Sequence, residues 1–249
     1  MFPRAEIKQY AKQKFYNNYG SMLGVYVIYL ILGSIIVSLS FGLGTFLIMP
    51  PFVVGMSFFS YLVYQGQRPE VSQMFTFGFD DYGRKLGGIL WSWLFIFLWS
   101  LLFLIPGIVK SIAYSMSPYL IAEYKNIPAT EVVKVSMKIT NGRKGDIFVM
   151  YLSFIGWGLL SMVTFGITQI FYSGPYMQVS LAGMYDVLKK DALETGRITK
   201  ADLGLEYNPN YNNYYGNPNQ NQQYQNQNQQ NPNQQNNQGT NNQGPNQQS

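Results

Sequence analysis

The side chains that carry most enzyme chemistry are missing from this sequence: its 249 residues include no His and no Cys. Disulfides, thiolate nucleophiles, zinc–thiolate sites and imidazole acid–base catalysis are excluded on that ground. Carboxylates, ammonium groups and hydroxyls remain. Asp80-Asp81 is the only adjacent acidic pair, and an ion pair with Arg84 or Lys85 accounts for it more simply than a bound metal does. No G-x-x-x-x-G-K-[ST], H-E-x-x-H or G-x-S-x-G pattern occurs. These residues point to a protein that is not an enzyme and that needs no cofactor. One ionisable residue stands out, Lys110, because it interrupts an apolar run. Two readings are open for it. Its ammonium can snorkel to a membrane surface, or it can face the bundle interior and bind an anionic group or a carbonyl freed by a proline. An ionisable residue within a span is a functional candidate.

The elements that would position Lys110 are apolar and long. Hydrophobic residues make up 47% of the chain and charged residues only 12%, against roughly 25% charged in soluble domains. That deficit predicts a membrane protein. The net charge of +5 could suit nucleic acid, but the basic residues flank apolar runs, which fits a lipid surface better. Residues 1–20 carry Ile7, Tyr10, Ala11, Lys14 and Phe15 at helical spacing and predict an interfacial amphipathic helix. Met22 to Phe41 has no charge and is long enough to cross about 30 Å of hydrocarbon. It exceeds the apolar core of a signal peptide, and a second run follows at once, so it predicts a true crossing. Thr45 to Tyr64 returns, bent at Pro50-Pro51. After a loop at Gln65–Lys85, Leu86 to Ile105 crosses, Pro106-Gly107 breaks the run, and Ile108 to Tyr124 returns with Pro118 inside. A second loop, Lys125–Asp146, leads to Ile147–Phe165, a turn at Gly166, and a last return from Ile167 to Tyr185 through Gly174-Pro175.

The two loops resemble each other. Pro69 precedes Gly83-Arg84-Lys85 by the same distance that Pro128 precedes Gly142-Arg143-Lys144, and each basic turn opens an apolar run. Each returning run carries a proline followed by an aromatic: Pro51-Phe52, Pro118-Tyr119 and Pro175-Tyr176. The expected fold is all-α: about six transmembrane helices arranged as three repeated hairpins. An interfacial amphipathic helix precedes each hairpin, and a disordered tail closes the chain. The helix breaks fall at Pro51, Pro106, Pro118 and Pro175. Arg84, Lys85, Arg143 and Lys144 are the basic interfacial residues. One segment resists this scheme: Val133 to Thr140 alternates with period two, as a strand would. The helix-start signals at Asn126 and Pro128, and the stop signal at Asn141-Gly142, favour an interfacial helix.

All but one of the 17 Lys and Arg, the exception being Lys110, lie in the N-terminal segment, the two long loops or the region after Tyr185. The positive-inside rule then puts both termini and both long loops in the cytoplasm. The membrane domain is expected over 1–190, a polar linker over 191–206, and a tail over 207–249. The tail holds Asn, Gln, Tyr, Pro and Gly and no charge. Without aliphatic residues it predicts disorder, either as a solvated extension or as a weakly self-associating one.

Leu104-Ile105-Pro106-Gly107-Ile108, then Lys110, Ala113-Tyr114-Ser115, Pro118-Tyr119, Ser136-Met137, Gly142, Lys144, Leu152-Ser153-Phe154-Ile155-Gly156-Trp157 and Pro175-Tyr176 together form a pattern. Over about residues 3–188 it resembles an uncharacterised family of bacterial integral membrane proteins, mostly from Gram-positive species, known as domain of unknown function 975. The resemblance implies a bacterial plasma membrane protein of several helices, and it implies no activity. The family often has histidine where this chain has Arg143, which sets aside a proton or metal role for that turn. The expected function is that of a non-enzymatic membrane component acting through unidentified protein partners or anionic lipid. The alternatives are a small-solute channel or transporter and, last, a membrane enzyme. No nucleic acid is expected.

Overall fold

Every regular element among the described residues, 3–205, is a helix in the computed structural model. The tail assigned to 207–249 lies outside the described residues. Residues 1–20 form α1 (Arg4–Asn17) and open α2 (Tyr19–Leu39). A turn with Phe41 and Gly42 in the left-handed region, φ 49° and 88°, reverses the chain. α3 (Gly44–Leu47) and α4 (Met49–Tyr64) then return. α5 (Val71–Phe79) follows, its start fixed by a capping box in which the Glu70 amide donates to Gln73 Oε1 at 2.8 Å.

The second hairpin is α6 (Tyr82–Leu102), then α7 (Leu104–Tyr114) and α8 (Ser117–Glu123). Its reversal is at Phe103, which is extended at φ −156°, and not at Pro106-Gly107 as the composition suggested. Pro106 sits in the first turn of α7, where a missing N–H costs nothing because that amide would have no helical acceptor. The other prolines also open helices: Pro51 α4, Pro118 α8 and Pro175 α12 (Gly174–Glu194). Between them lie α9 (Val132–Thr140), α10 (Lys144–Leu152), α11 (Ile155–Val163) and one π-helical turn, Gln169–Ser173. α9 settles the period-two ambiguity. Val132, Val135, Ser136 and Ile139 are buried at helical spacing, and Gly142 at φ 72° ends the helix. Packing on neighbours overrides the strand preference of its valines.

Each of α1, α5 and α9 lies against a returning helix: α5 on α4, α9 on α8, and α1 on α12. α4 also packs on both α8 and α12. The face predicted for α1 exists, but it meets protein: Ile7, Ala11 and Phe15 are buried while Tyr10 stays exposed. α4 and α5 approach through Gly55 and Gly78; a Cβ on Gly55 would lie 2.2 Å from the Met74 carbonyl oxygen. The polar stretch after Glu194 packs as well, with Ile198 and Leu203 buried and Lys138 2.6 Å from Asp202.

Burial is uneven along the hairpins. α4 from Pro50 inward is almost wholly buried, whereas the reversals stand clear of all other protein. Phe41, Phe103 and Phe165 are 98%, 72% and 96% exposed. Two helical stretches, Tyr19–Leu39 and Lys144–Val163, are long and apolar enough to cross a membrane. Side chains from the next element along reach carbonyls of the return limbs. Tyr19 bonds the Phe171 carbonyl, Tyr82 bonds that of Leu47, and Ser136 and Thr140, just before α10, bond that of Ala113.

Overfilling the α4–α5 contact should be costly. Gly55→Ala should lower stability by about 1–3 kcal/mol, read as a lower midpoint of thermal unfolding in detergent. Gly20→Ala, with nothing within 4 Å of the added carbon, should leave the midpoint unchanged or raise it slightly.

Candidate functional site

Where the inner ends of α4, α8 and α12 converge, the core becomes polar. Lys189 on α12 donates to Glu123 Oε1 on α8 at 2.5 Å and to the Tyr61 hydroxyl on α4 at 3.0 Å. Tyr185 donates to Glu123 Oε2 at 2.5 Å. Asp186 accepts from Gln65 at 2.8 Å and from Lys190 at 2.7 Å. Tyr61 lies 3.4 Å from both carboxylates, and Tyr119 stacks on Tyr185 with ring centroids 5.0 Å apart. Lys189 and Asp186 are 8% and 7% exposed at the side chain. Charges this buried persist because each is paired and hydrogen-bonded. Lys189, Lys190, Glu123 and Asp186 carry two charges of each sign, and their bonds tie three helices together.

This cluster was not anticipated. Glu123 ends one apolar run and Asp186 follows another, which reads as surface. The usable signals were the Asp186–Lys190 spacing, one turn of a helix, and the equal placement of Tyr61 and Tyr185 behind Pro51 and Pro175.

The basic residues assigned to the interface are mostly spoken for within the protein. Arg84 pairs with Asp81 at 2.6 Å and donates to the carbonyls of Ile121, Tyr124 and Ile127 at 2.7, 3.0 and 3.3 Å. It thereby closes the C-terminal end of α8. Lys85 is buried and bonds Asp80 and the Phe77 carbonyl. Burial pushes the Asp80 carboxyl up, but Lys85 and Lys125 together hold it below its usual value. Arg143 grips Asp191 with two bonds, at 3.0 and 3.2 Å, and Arg197 bonds the same carboxylate. Lys144 makes no ion pair among the described residues.

Lys110 lies on α7, half-buried, with its ammonium 4.9 Å from the Trp99 ring centroid and 3.8 Å from Met137 Sδ. Two of the proline-freed carbonyls are served by other side chains. Pro51 leaves the Leu47 carbonyl without its helical donor, and Tyr82 supplies one at 2.8 Å. Pro175 does the same to Phe171, which Tyr19 serves at 3.1 Å. At the α7–α8 break, Ser136 and Thr140 serve Ala113 at 2.7 and 3.3 Å. Among the described residues no group of three or more metal-ligating side chains gathers.

The geometry defines an all-helical protein with two helices able to cross a membrane. Residues 85–192 match the family described as "Protein of unknown function (DUF975)", the family the sequence resembles. No curated protein and no solved structure matches the chain.

Breaking one side of the polar cluster should cost more than removing both. Lys189→Met strands Glu123 and should destabilise by about 3–5 kcal/mol. Adding Glu123→Gln should restore a large part of it, a coupling that a double-mutant cycle of thermal midpoints measures. Asp191 gives a pH signature. Its hydrogen bond to Arg143, with Arg197 beside it, holds its carboxyl below the usual range. It therefore contributes stability fully above its unfolded value, about pH 4, and loses it as pH falls through the lower folded value. Asp191→Asn should flatten the acid limb of a midpoint-against-pH curve and lower the midpoint at pH 7.

Proposed function

We propose that this is a polytopic, non-enzymatic protein of the bacterial plasma membrane, with three hairpins crossing six times and both termini cytoplasmic. It acts through protein contacts and through anionic lipid gathered on its basic inner surface. One observation carries the reading: the far ends of all three hairpins are apolar and uncovered. Leu39, Leu101 and Met162 are 79%, 74% and 79% exposed beside the bare phenylalanines of the reversals. A contiguous apolar surface of this kind marks a membrane or a partner. Tyr19–Leu39 and Lys144–Val163 are 22% and 17% buried over their apolar windows, unlike the core helix of a soluble protein. α2 and α6 have 21 residues each, about 31 Å of helix, enough to cross with little to spare for tilt.

The repeat is supported by packing. The pairs α5–α4, α9–α8 and α1–α12 close a ring in which the first helix completes the last unit. The Tyr82–Leu47 and Tyr19–Phe171 bonds occupy matching places, each reaching the carbonyl four residues before a returning proline. Lipid contact falls to the cations that carboxylates leave alone. On α1 these are Lys8, Lys12 and Lys14, which lie near the rings of Phe154, Tyr16 and Tyr10. Lys144 joins them. Each is worth about 1 kcal/mol of attraction to an anionic surface.

A second reading, a small-solute pathway, draws on the polar cluster at the meeting of three returning helices. Replacing Lys8, Lys12, Lys14 and Lys144 together by Gln separates the two. The lipid reading expects the variant to insert normally and to lose most co-purified anionic lipid, with the remainder insensitive to salt. Unchanged anionic lipid would sink it. Changed solute flux or drug sensitivity in Glu123→Gln, with insertion intact, would favour the pathway.

A further inference from the structure

Lys110 is the only charged residue between Lys85 and Glu123, and the protein gives it no oxygen partner among the described residues. No carboxylate lies within ion-pairing distance, and its one hydrogen-bonding contact is the Met137 thioether at 3.8 Å. A thioether is a weak acceptor, and an ammonium has three donors. The Trp99 and Tyr114 rings, 4.9 and 5.9 Å away, stabilise the positive charge from the side. The group is thus held in place by aromatic faces while its donors remain unmet.

A cavity adjoins it. Tyr114 and Met137 also line a space of about 230 Å³ between α6, α7 and α9, walled further by Trp91, Phe95 and Val133. These walls are mostly apolar, with Thr130, Glu131 and Lys134 on one side, and the space admits a length of hydrocarbon rather than a whole lipid. The one other cation at the rim, Lys134, is already paired with Glu131 at 2.8 Å. The uncompensated charge beside the cavity therefore belongs to Lys110.

We propose that this cleft is a binding site for a single phospholipid with an anionic headgroup. The phosphate takes the Lys110 ammonium, and one acyl chain lies along Trp91, Phe95 and Val133. Charge complementarity selects the occupant. The cation lacks a counter-ion, and the apolar cavity starts from Tyr114 and Met137, which both also approach the ammonium. A zwitterionic lipid would bring a second cation to a place whose aromatic faces are already taken. The site is separate from the lysines of α1, and it rests on the membrane reading above.

The test is native mass spectrometry of the full chain in detergent, titrated with dioleoylphosphatidylglycerol or dioleoylphosphatidylcholine. Wild type should hold one phosphatidylglycerol more tightly than phosphatidylcholine. Lys110→Met should weaken that first adduct about fivefold and erase the preference over phosphatidylcholine. Lys110→Arg and Lys134→Met should keep the adduct. The thermal midpoint of Lys110→Met without added lipid should match wild type, which separates lost binding from lost folding. Equal phosphatidylglycerol affinity in Lys110→Met, equal affinity of wild type for both lipids, or a loss that follows Lys134 instead would overturn the site. A chain that stays in the membrane fraction yet shows one of these results refutes the site alone. A chain that never enters that fraction refutes the membrane reading.

Discussion

Apolar surface that the chain cannot cover sets the medium in which this fold is stable. Covering one large apolar side chain is worth roughly 1.5–3 kcal/mol, and every hairpin leaves several bare at its far end. In water that exposure would rival the whole stability of a domain, about 5–15 kcal/mol. The inner ends show the opposite pattern. There α4, α8 and α12 bury Glu123, Asp186 and Lys189 among tyrosine hydroxyls. The chain thus spends its side-chain packing at one end of the hairpins and leaves the other end to the solvent that suits it.

A second constraint follows from the first. Each returning limb opens a helix with a proline, and each proline leaves a carbonyl that water would otherwise serve. Tyr82 and Tyr19 reach two of these carbonyls, those of Leu47 and Phe171, and Ser136 with Thr140 reaches the Ala113 carbonyl at the α7–α8 break. These bonds do two jobs at once. They satisfy backbone groups in a dry setting, and they fix each hairpin against its neighbour.

Much of this was legible in the sequence. The apolar runs marked the rods, the prolines marked breaks in the returning runs, and Asn141-Gly142 marked a helix end. The reversal of the second hairpin was misplaced by three residues because Pro106 reads as a breaker, whereas the first turn of a helix accepts proline. The amphipathic face of α1 was correctly drawn, but its partner was not, since periodicity reports that a face is apolar and is silent on what covers it. Arg84, Lys85 and Arg143 looked like interfacial charge because a cation's partner is set by three-dimensional folding. Asp191 and the carbonyls at the end of α8 come to Arg143 and Arg84 from distant parts of the chain, whereas the pairing of Asp80-Asp81 with Arg84 and Lys85 was legible from their closeness in sequence. The Glu123–Lys189 cluster was hidden for the same reason.

The central claim is that the three bare reversals pass through lipid to its far side. The chain has no native cysteine, so single cysteines at Phe41, Phe103 and Phe165 can be challenged in intact cells with a thiol reagent that cannot cross the bilayer. Six crossings require labelling at all three from outside, and none at Lys12, Gln73 or Lys138 until the membrane is opened. Reversals that stay unlabelled until then would mean that the hairpins only dip into one leaflet, and would contradict the six crossings.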